Sequence, residues 1–271
     1  MAWQTPKTNW SSADGVRDTD MDRIEGNTLE LKNTKAELTT FNALQQQVES
    51  ALFGASQRTQ IGNLAIGTEF GLYENGVLTP FIKLENNYAG SGRILVVRKS
   101  IVKMDTLFAS GDTYYEGSKQ DTWLNNEYIA TLDAATQSAL SNVDVPVASA
   151  AGASSISRRA FILSLTEYNQ HSTYAPTSIG NSIAYFNSNA RRVARHNGAA
   201  VAHWTRSINS LASPPTAVAI SASGDGTGEL NTTTNSSYGI RPAFTLPTAY
   251  EVIGNLPSTA NVLATAEVIS E

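Results

Sequence analysis

The residues of this chain that could do chemistry are three histidines, two serines in apolar surroundings, one glycine-rich turn and two groups of arginines. His171, His196 and His203 have no helical His-x-x-x-His spacing, the pattern that places two ring nitrogens on one zinc ion. Ser164 and Ser207 lie in no Gly-x-Ser-x-Gly elbow, the strained turn that exposes a nucleophilic hydroxyl. Gly224-Asp225-Gly226-Thr227-Gly228 has the glycines of a phosphate loop, but no lysine follows and no βαβ unit surrounds it. It reads as a turn joining two strands. Asp225 with Glu229 could hold a cation, yet two carboxylates are too few for calcium. Carboxylate pairs of the glycosidase kind are defined by separation in space, which sequence does not carry. The absence of cysteine excludes disulfides, thiolate metal sites and cysteine nucleophiles. No catalytic constellation emerges. The chain is expected not to be an enzyme and to need no cofactor and no metal.

The arginines suggest binding or architecture instead. Arg206 and Arg241 each stand where an apolar run meets a turn. A planar guanidinium there can hold loop carbonyls or a carboxylate through several donors at once. They are expected to be structural, with Trp204 and Phe244 in the core beside them and Trp123 in a second core position. The basic cluster Arg191, Arg192, Arg195 and His196 could receive an anionic ligand such as a phosphate-bearing wall polymer. A solvated loop or an inter-subunit ion pair explains the same residues.

The elements that must position these residues are mostly strands. Asn75-Gly76 between two apolar runs is a hairpin signal. Arg93 to Lys99 and Ala160 to Leu165 read as buried strands. Short helices are expected from Thr122 and from Asp133 to Leu140, and a mobile small-residue loop from Ala148 to Ser157. From His203 to Phe244 the pattern reads as strand, long polar loop, strand, with the loop at 221–239. A charged content of only 16%, with Ser, Thr, Asn, Ala and Gly in its place, suits loop-rich β structure with an uncharged polar surface. The net charge of −5 leaves no basic footprint for nucleic acid. No run approaches the ~20 apolar residues of a membrane span.

The front of the chain differs in character. Residues 1–19 hold Trp3 and Trp10 in an extended polar segment, read as a docking arm; folding back onto the following helix is the alternative. From 20 to 54 a heptad repeats with Ile24, Leu31, Leu38 and Leu52 in one seam position and Phe41 and Val48 in the other. Asn27 and Gln45 are polar interruptions of that seam. The pattern predicts a coiled-coil helix that self-associates, a trimer being favoured, or one packed on its own body. A linker at 55–65, a β-rich head at 66–247 and a tail at 248–271 follow. The tail either adds a strand to a sheet edge or packs on a neighbouring subunit. Met1 to Lys7 lacks a basic segment before an apolar one, so no secretory signal is expected.

Two resemblances extend this reading. Trp123-Leu124-Asn125-Asn126, Phe161-Ile162-Leu163-Ser164-Leu165-Thr166-Glu167, Trp204-Thr205-Arg206-Ser207 and Gly239-Ile240-Arg241-Pro242-Ala243-Phe244 follow in that order. Together they resemble an uncharacterised domain family of Gram-positive bacteria and their phages with a C-type-lectin-like fold. The resemblance covers about residues 66–247. With the heptad segment ahead of it, the expected fold class is α+β: an N-terminal coiled-coil helix followed by a β-rich C-type-lectin-like domain. The Glu-Pro-Asn and Trp-Asn-Asp signatures of calcium-dependent lectins are missing, so calcium-mediated sugar binding is not implied. The cysteines of formylglycine-generating relatives are missing too. Thr5-Pro6-Lys7-Thr8-Asn9-Trp10 with Asp22-Arg23-Ile24-Glu25-Gly26-Asn27 is similar to the start of many phage and prophage structural proteins.

The resemblances imply a subunit of a virion appendage, a tail or baseplate fibre or receptor-binding protein, made in the host cytoplasm. Its partners would be copies of itself, other virion proteins through the N-terminus, and a host cell-surface glycan or protein. Neither nucleic acid nor membrane is expected as a partner. Tyr174, Tyr185, Arg192, His196, Asn209 and Asn231 are the expected outward binding residues, since aromatic faces stack on sugar rings and amides serve hydroxyls. An architectural decoration, collar or head-fibre subunit is the alternative, and a wall-degrading enzyme a third possibility.

Overall fold

Asn75 and Gly76 take positive φ, 51° and 79°, and turn β2 (Glu69–Glu74) back into β3 (Val77–Glu85). The two-residue turn needs left-handed backbone that glycine and asparagine tolerate best. The structure is a computed structural model. It describes residues 58–105, 114–171, 179–209, 216–230, 238–254 and 256, and in the N-terminal segment residues 27–31, 35, 37 and 40. The chain divides into two units, Met1–Ser56 and Gln57–Glu271, and every strand named here belongs to the second.

The β2–β3 hairpin is the middle of a seven-stranded sheet. β4 (Ile94–Arg98) pairs with β3 and is flanked by β15 (Ala243–Leu246) and then the two-residue β8 (Ala160–Phe161). Ile94, Leu95, Val96 and Val97 are all buried, so both faces of this central strand are covered. On the other side of β2 lies β16 (Glu251–Ile253), and beyond it β1 (Arg58–Gln60). The described start of the 248–271 tail thus adds a strand inside the sheet, between β1 and β2, rather than at its edge.

A second sheet has the order β13 (Gly226–Leu230), β12 (Thr216–Ile220), β11 (His203–Asn209), β14 (Tyr238–Ile240), β5 (Lys103–Asp105). All seven residues of β11 are buried. The region read as strand, polar loop, strand therefore holds three further strands, five in all from β11 to β15. Gly224 to Gly226 is the turn from β12 into β13, as its glycines suggest. Ala148 to Ser157 is not a mobile loop. It belongs to the hairpin β6 (Val143–Ser149) and β7 (Gly152–Arg158), in which Val143, Val145 and Val147 face inward at a spacing of two. Small residues weaken a strand signal without abolishing the alternation that buries one face.

Helices are short. α1 (Lys119–Asn126) starts at Ser118, whose side chain accepts from the Asp121 amide, and α2 (Ala134–Ala139) starts at Asp133, which accepts from the Thr136 amide. α3 is the single turn Asn189–Arg192. Asn125 of α1 ties the helix to β8: its Oδ1 accepts from the Arg159 and Ala160 amides and its Nδ2 donates to the Ala160 carbonyl.

The expected fold class is overturned. Strand makes up 41% and helix 23%, and a single helix reaches seven residues among the described ones, so the fold is β-rich rather than α+β led by a long coiled-coil helix. Heptad spacing records periodicity, whereas a long helix in water also needs burial of its stripe. Of the seam residues Asn27 and Leu31 are described; both are helical, Asn27 half-buried and Leu31 exposed. Ile24, Leu38, Phe41, Val48 and Leu52 lie outside the described residues, as do Trp3 and Trp10. No helix among the described residues is long and apolar enough to cross a membrane.

Lys83 shows how the sheet holds its connections. Its side chain is buried, and Nζ donates to the carbonyls of Ile61, Gly62 and Leu64 at 3.0, 3.1 and 2.6 Å. Burial holds its pKa below the ordinary lysine value. Replacing it (Lys83→Met) strips one buried and two half-buried carbonyls of their donor and is expected to cost about 1–3 kcal/mol. Urea denaturation of the two proteins measures this; an unchanged midpoint would contradict it.

Candidate functional site

Arg206 sits on the buried strand β11, next to Ser207 and opposite the segment that follows β8. That segment, Ser164 to Glu167, makes a tight reciprocal turn. The Glu167 amide donates to Ser164 Oγ at 3.1 Å, and the Ser164 amide donates to Glu167 Oε2 at 2.9 Å. Ser164 Oγ donates in turn to the Ile179 carbonyl, and the Leu165 amide donates to Ser207 Oγ. Two of the four sequence pieces, Ser164 to Glu167 and Trp204 to Ser207, are thus in direct contact.

All five N–H groups of Arg206 are used. Nε donates to the Pro146 carbonyl at 2.7 Å. Nη1 donates to the Ile162 carbonyl at 2.7 Å and to Glu167 Oε2 at 2.6 Å. Nη2 donates to Glu167 Oε1 and, at 3.2 Å, to the Tyr88 hydroxyl. The Tyr88 hydroxyl in turn donates to Glu167 Oε1 at 2.9 Å. The guanidinium lies 5.6 Å over the Phe161 ring, which stacks on Tyr88 at 5.2 Å. Arg206 is 0% and Glu167 1% exposed, so each charge is bearable only because the other is there. Burial opposes the Arg206 charge, but the Glu167 carboxylate turns the balance and holds the guanidinium above its ordinary value. Burial pushes the Tyr88 hydroxyl well above the tyrosine range, so it stays a donor.

Above this network lies a cleft of about 230 Å³ lined by Glu85, Tyr88, Ala89, Pro146, Glu167, Gly180 and Asn181. Three backbone features shape it. The β3–β4 register shifts between Lys83 and Glu85, a bulge that re-aims the end of β3. Ala89 takes a left-handed φ of 49° in the turn after it, a conformation that costs a residue with a Cβ. Gly180, φ 78°, passes so close to Glu167 that a Cβ would come 2.6 Å from Oε1. Glu85 is half-buried, and burial, then the Glu167 charge, raises its carboxyl above the ordinary range. No group of three or more His, Asp or Glu side chains fit for a metal ion occurs among the described residues.

The residues expected on an outward face do not form one group. Tyr174 and Asn231 lie outside the described residues. Asn209 is fully buried at the end of β11, which removes it from any outward surface. Arg192 is buried as well. It donates to the carbonyls of Gly224 and Phe186 and to Asn189 Oδ1, so it pins the β12–β13 turn to α3. Tyr185 is half-buried, with the Arg191 guanidinium 5.1 Å over its ring. His196 is half-buried on the separate hairpin of β9 (Ala194–His196) and β10 (Ala199–Val201). Trp204 and Phe244 are fully buried, Arg241 is buried with Nε on the Arg98 carbonyl, and Trp123 is half-buried against Tyr128. Sequence reasoning missed Glu85, Tyr88 and Glu167 as a group. The Ser-x-x-Glu spacing at Ser164 was the one local signal, since it permits a reciprocal turn.

Fold and cleft together define a β-rich domain with a polar, carboxylate-lined depression over one buried ion pair. The chain belongs to the family described as "Domain of unknown function (DUF6273)", whose model matches residues 91–248, more than half of its length. Arg206, Glu167, Pro146, Gly180 and Asn181 fall inside the matched span, whereas Glu85 and Tyr88 precede it. No curated protein and no solved structure matches the chain.

Two outcomes follow. Glu167→Gln leaves a buried guanidinium without its counter-charge and is expected to cost about 3–5 kcal/mol by urea denaturation. The double replacement Arg206→Met with Glu167→Leu should cost less than the single changes summed; strict additivity would contradict the coupling. His203, buried beside Tyr168, has its pKa lowered from 6.5 to about 3 by burial and then by Arg241. Its contribution is complete above about pH 6.5 and is lost as pH falls toward 3, because only the unfolded chain takes up the proton in that window. Between pH 6 and 4, His203→Phe should therefore lose less stability than the unaltered protein, as read from thermal midpoints across that range.

Proposed function

We propose that this chain is a bacteriophage or prophage virion protein, a tail, baseplate or fibre subunit whose β-rich body attaches to a host-surface glycan. Catalysis is not part of the reading. The observation that carries it is the use of Arg206: every donor is spent, four of the five on Tyr88, Pro146 and Glu167 of the cleft lining, so the cleft is preorganised and the guanidinium keeps no donor for a reaction. Glu85 and Asn181 then stand at a fixed mouth, suited to hydrogen-bonding a ligand that leaves unchanged. The Thr5 to Trp10 and Asp22 to Asn27 pieces, similar to the start of phage structural proteins, supply the virion part of the reading. Self-association and attachment to other virion proteins through the N-terminus complete it, because weak single-site contacts gain strength when several copies act together.

The full chain, labelled and incubated with purified cell walls from a panel of Gram-positive bacteria, is expected to be retained saturably on some of them. Soluble wall fragments should not accumulate. Retention on no wall, together with tight binding to other virion proteins, would favour an architectural subunit; released fragments would mean an enzyme.

A further inference from the structure

We infer that the cleft takes an amine-bearing sugar unit, its ammonium group against Glu85 and its hydroxyls against Asn181. The inference rests on the reading of the body as a glycan-binding module and adds the class of sugar. Both charged side chains lining the cleft are carboxylates. They differ in one respect. Glu167 is neutralised from behind by Arg206 and capped by Tyr88. Among the described residues, the Glu85 side chain has no hydrogen-bond or ion-pair partner, although it is half-buried.

The nearest lysine along β3 is not available to it. Lys83 Nζ is bound to three backbone carbonyls. The bulge between Lys83 and Glu85 breaks the two-residue alternation that would otherwise place both on one face. A carboxylate turned into a cleft and left without a counter-ion is satisfied by a cation that enters with the ligand. Burial and the neighbouring Glu167 already work against its charge, so an incoming ammonium relieves both.

Size and lining narrow the ligand further. The volume of about 230 Å³ lies below the ~300–1,000 Å³ typical of drug-sized ligands, so one small unit fits. Ala89 and Pro146 offer apolar surface to the C–H face of a ring, while Asn181, exposed at the mouth, offers a donor and an acceptor to hydroxyls. A bare metal ion would leave the apolar walls unused. A phosphate would meet two carboxylates.

Titration calorimetry on the full chain with glucosamine, N-acetylglucosamine and glucose tests this. Glucosamine is expected to bind, with the two neutral sugars at least about tenfold weaker, the difference a charge-assisted hydrogen bond supplies. Glu85→Gln should abolish the preference while leaving the thermal midpoint close to that of the unaltered protein. Equal affinity for the three sugars, or binding of none, overturns the inference; so does a glucosamine preference that survives Glu85→Gln. The sugar comparison on the unaltered protein decides the matter even where the variant folds poorly. Wall retention that glucosamine cannot compete would sink this inference and spare the attachment reading. Glucosamine binding through Glu85 in a chain that no wall retains would do the reverse.

Discussion

One buried guanidinium holds together parts of the chain that have little else in common. Arg206 joins the Pro146 carbonyl on β6, the Ile162 carbonyl after β8, the Glu167 carboxylate and the Tyr88 hydroxyl in the turn after β3. Pro146, Glu167 and Tyr88 are three of the walls of the cleft. An apolar side chain of similar length could fill the space but could not fix four polar groups at once. The planar fork of arginine does so because its five donors lie in set directions. The carboxylate partner is what makes the buried charge tolerable.

The same economy recurs in weaker form. Lys83, Arg192 and Arg241 are buried, and the bonds described here tie them chiefly to backbone carbonyls of loops and strand ends. A protein without cysteine, rich in small polar residues, has few apolar anchors for its connections. Long cationic side chains reach those connections from the sheets and satisfy carbonyls that would otherwise be buried unpaired. Asn125 and Asp121 do comparable work from α1, the first on β8 and the second in a two-bond pair with Arg158 at 2.7 and 2.8 Å.

The cleft depends on backbone detail as much as on side chains. A bulge turns Glu85, a left-handed alanine bends the chain past it, and Gly180 leaves room for the Glu167 carboxylate. Each is a local departure from regular geometry, and the three converge on one depression. Convergence of such departures on one concave surface is what makes it the candidate site. Of its lining, Glu85 and Pro146 stand on strands, whereas Tyr88, Ala89, Glu167, Gly180 and Asn181 stand on turns and connections.

Strands with an apolar run or a turn signal were legible from the residues alone. Asn75-Gly76 needs left-handed backbone, and Ile94 to Val97 needs burial on both faces, whatever surrounds them. The cap at Asp133 works through an amide three residues away and is equally local; Ser118 works the same way, but the first helix, read from Thr122, begins three residues earlier at Lys119. The hairpin of β6 and β7 was not legible, because its small residues pack only once a partner strand and a core are present. Nor was the fold class, since a heptad pattern says nothing about whether its stripe is buried. Arg206 stood out by itself and Glu167 only closed one of the four motif pieces; their pairing, and the approach of Tyr88 and Glu85 from 79 and more positions away, was decided by the closing of the sheets. Local stereochemistry acts between neighbours in the chain; a buried charge finds its partner only where the fold removes water from both.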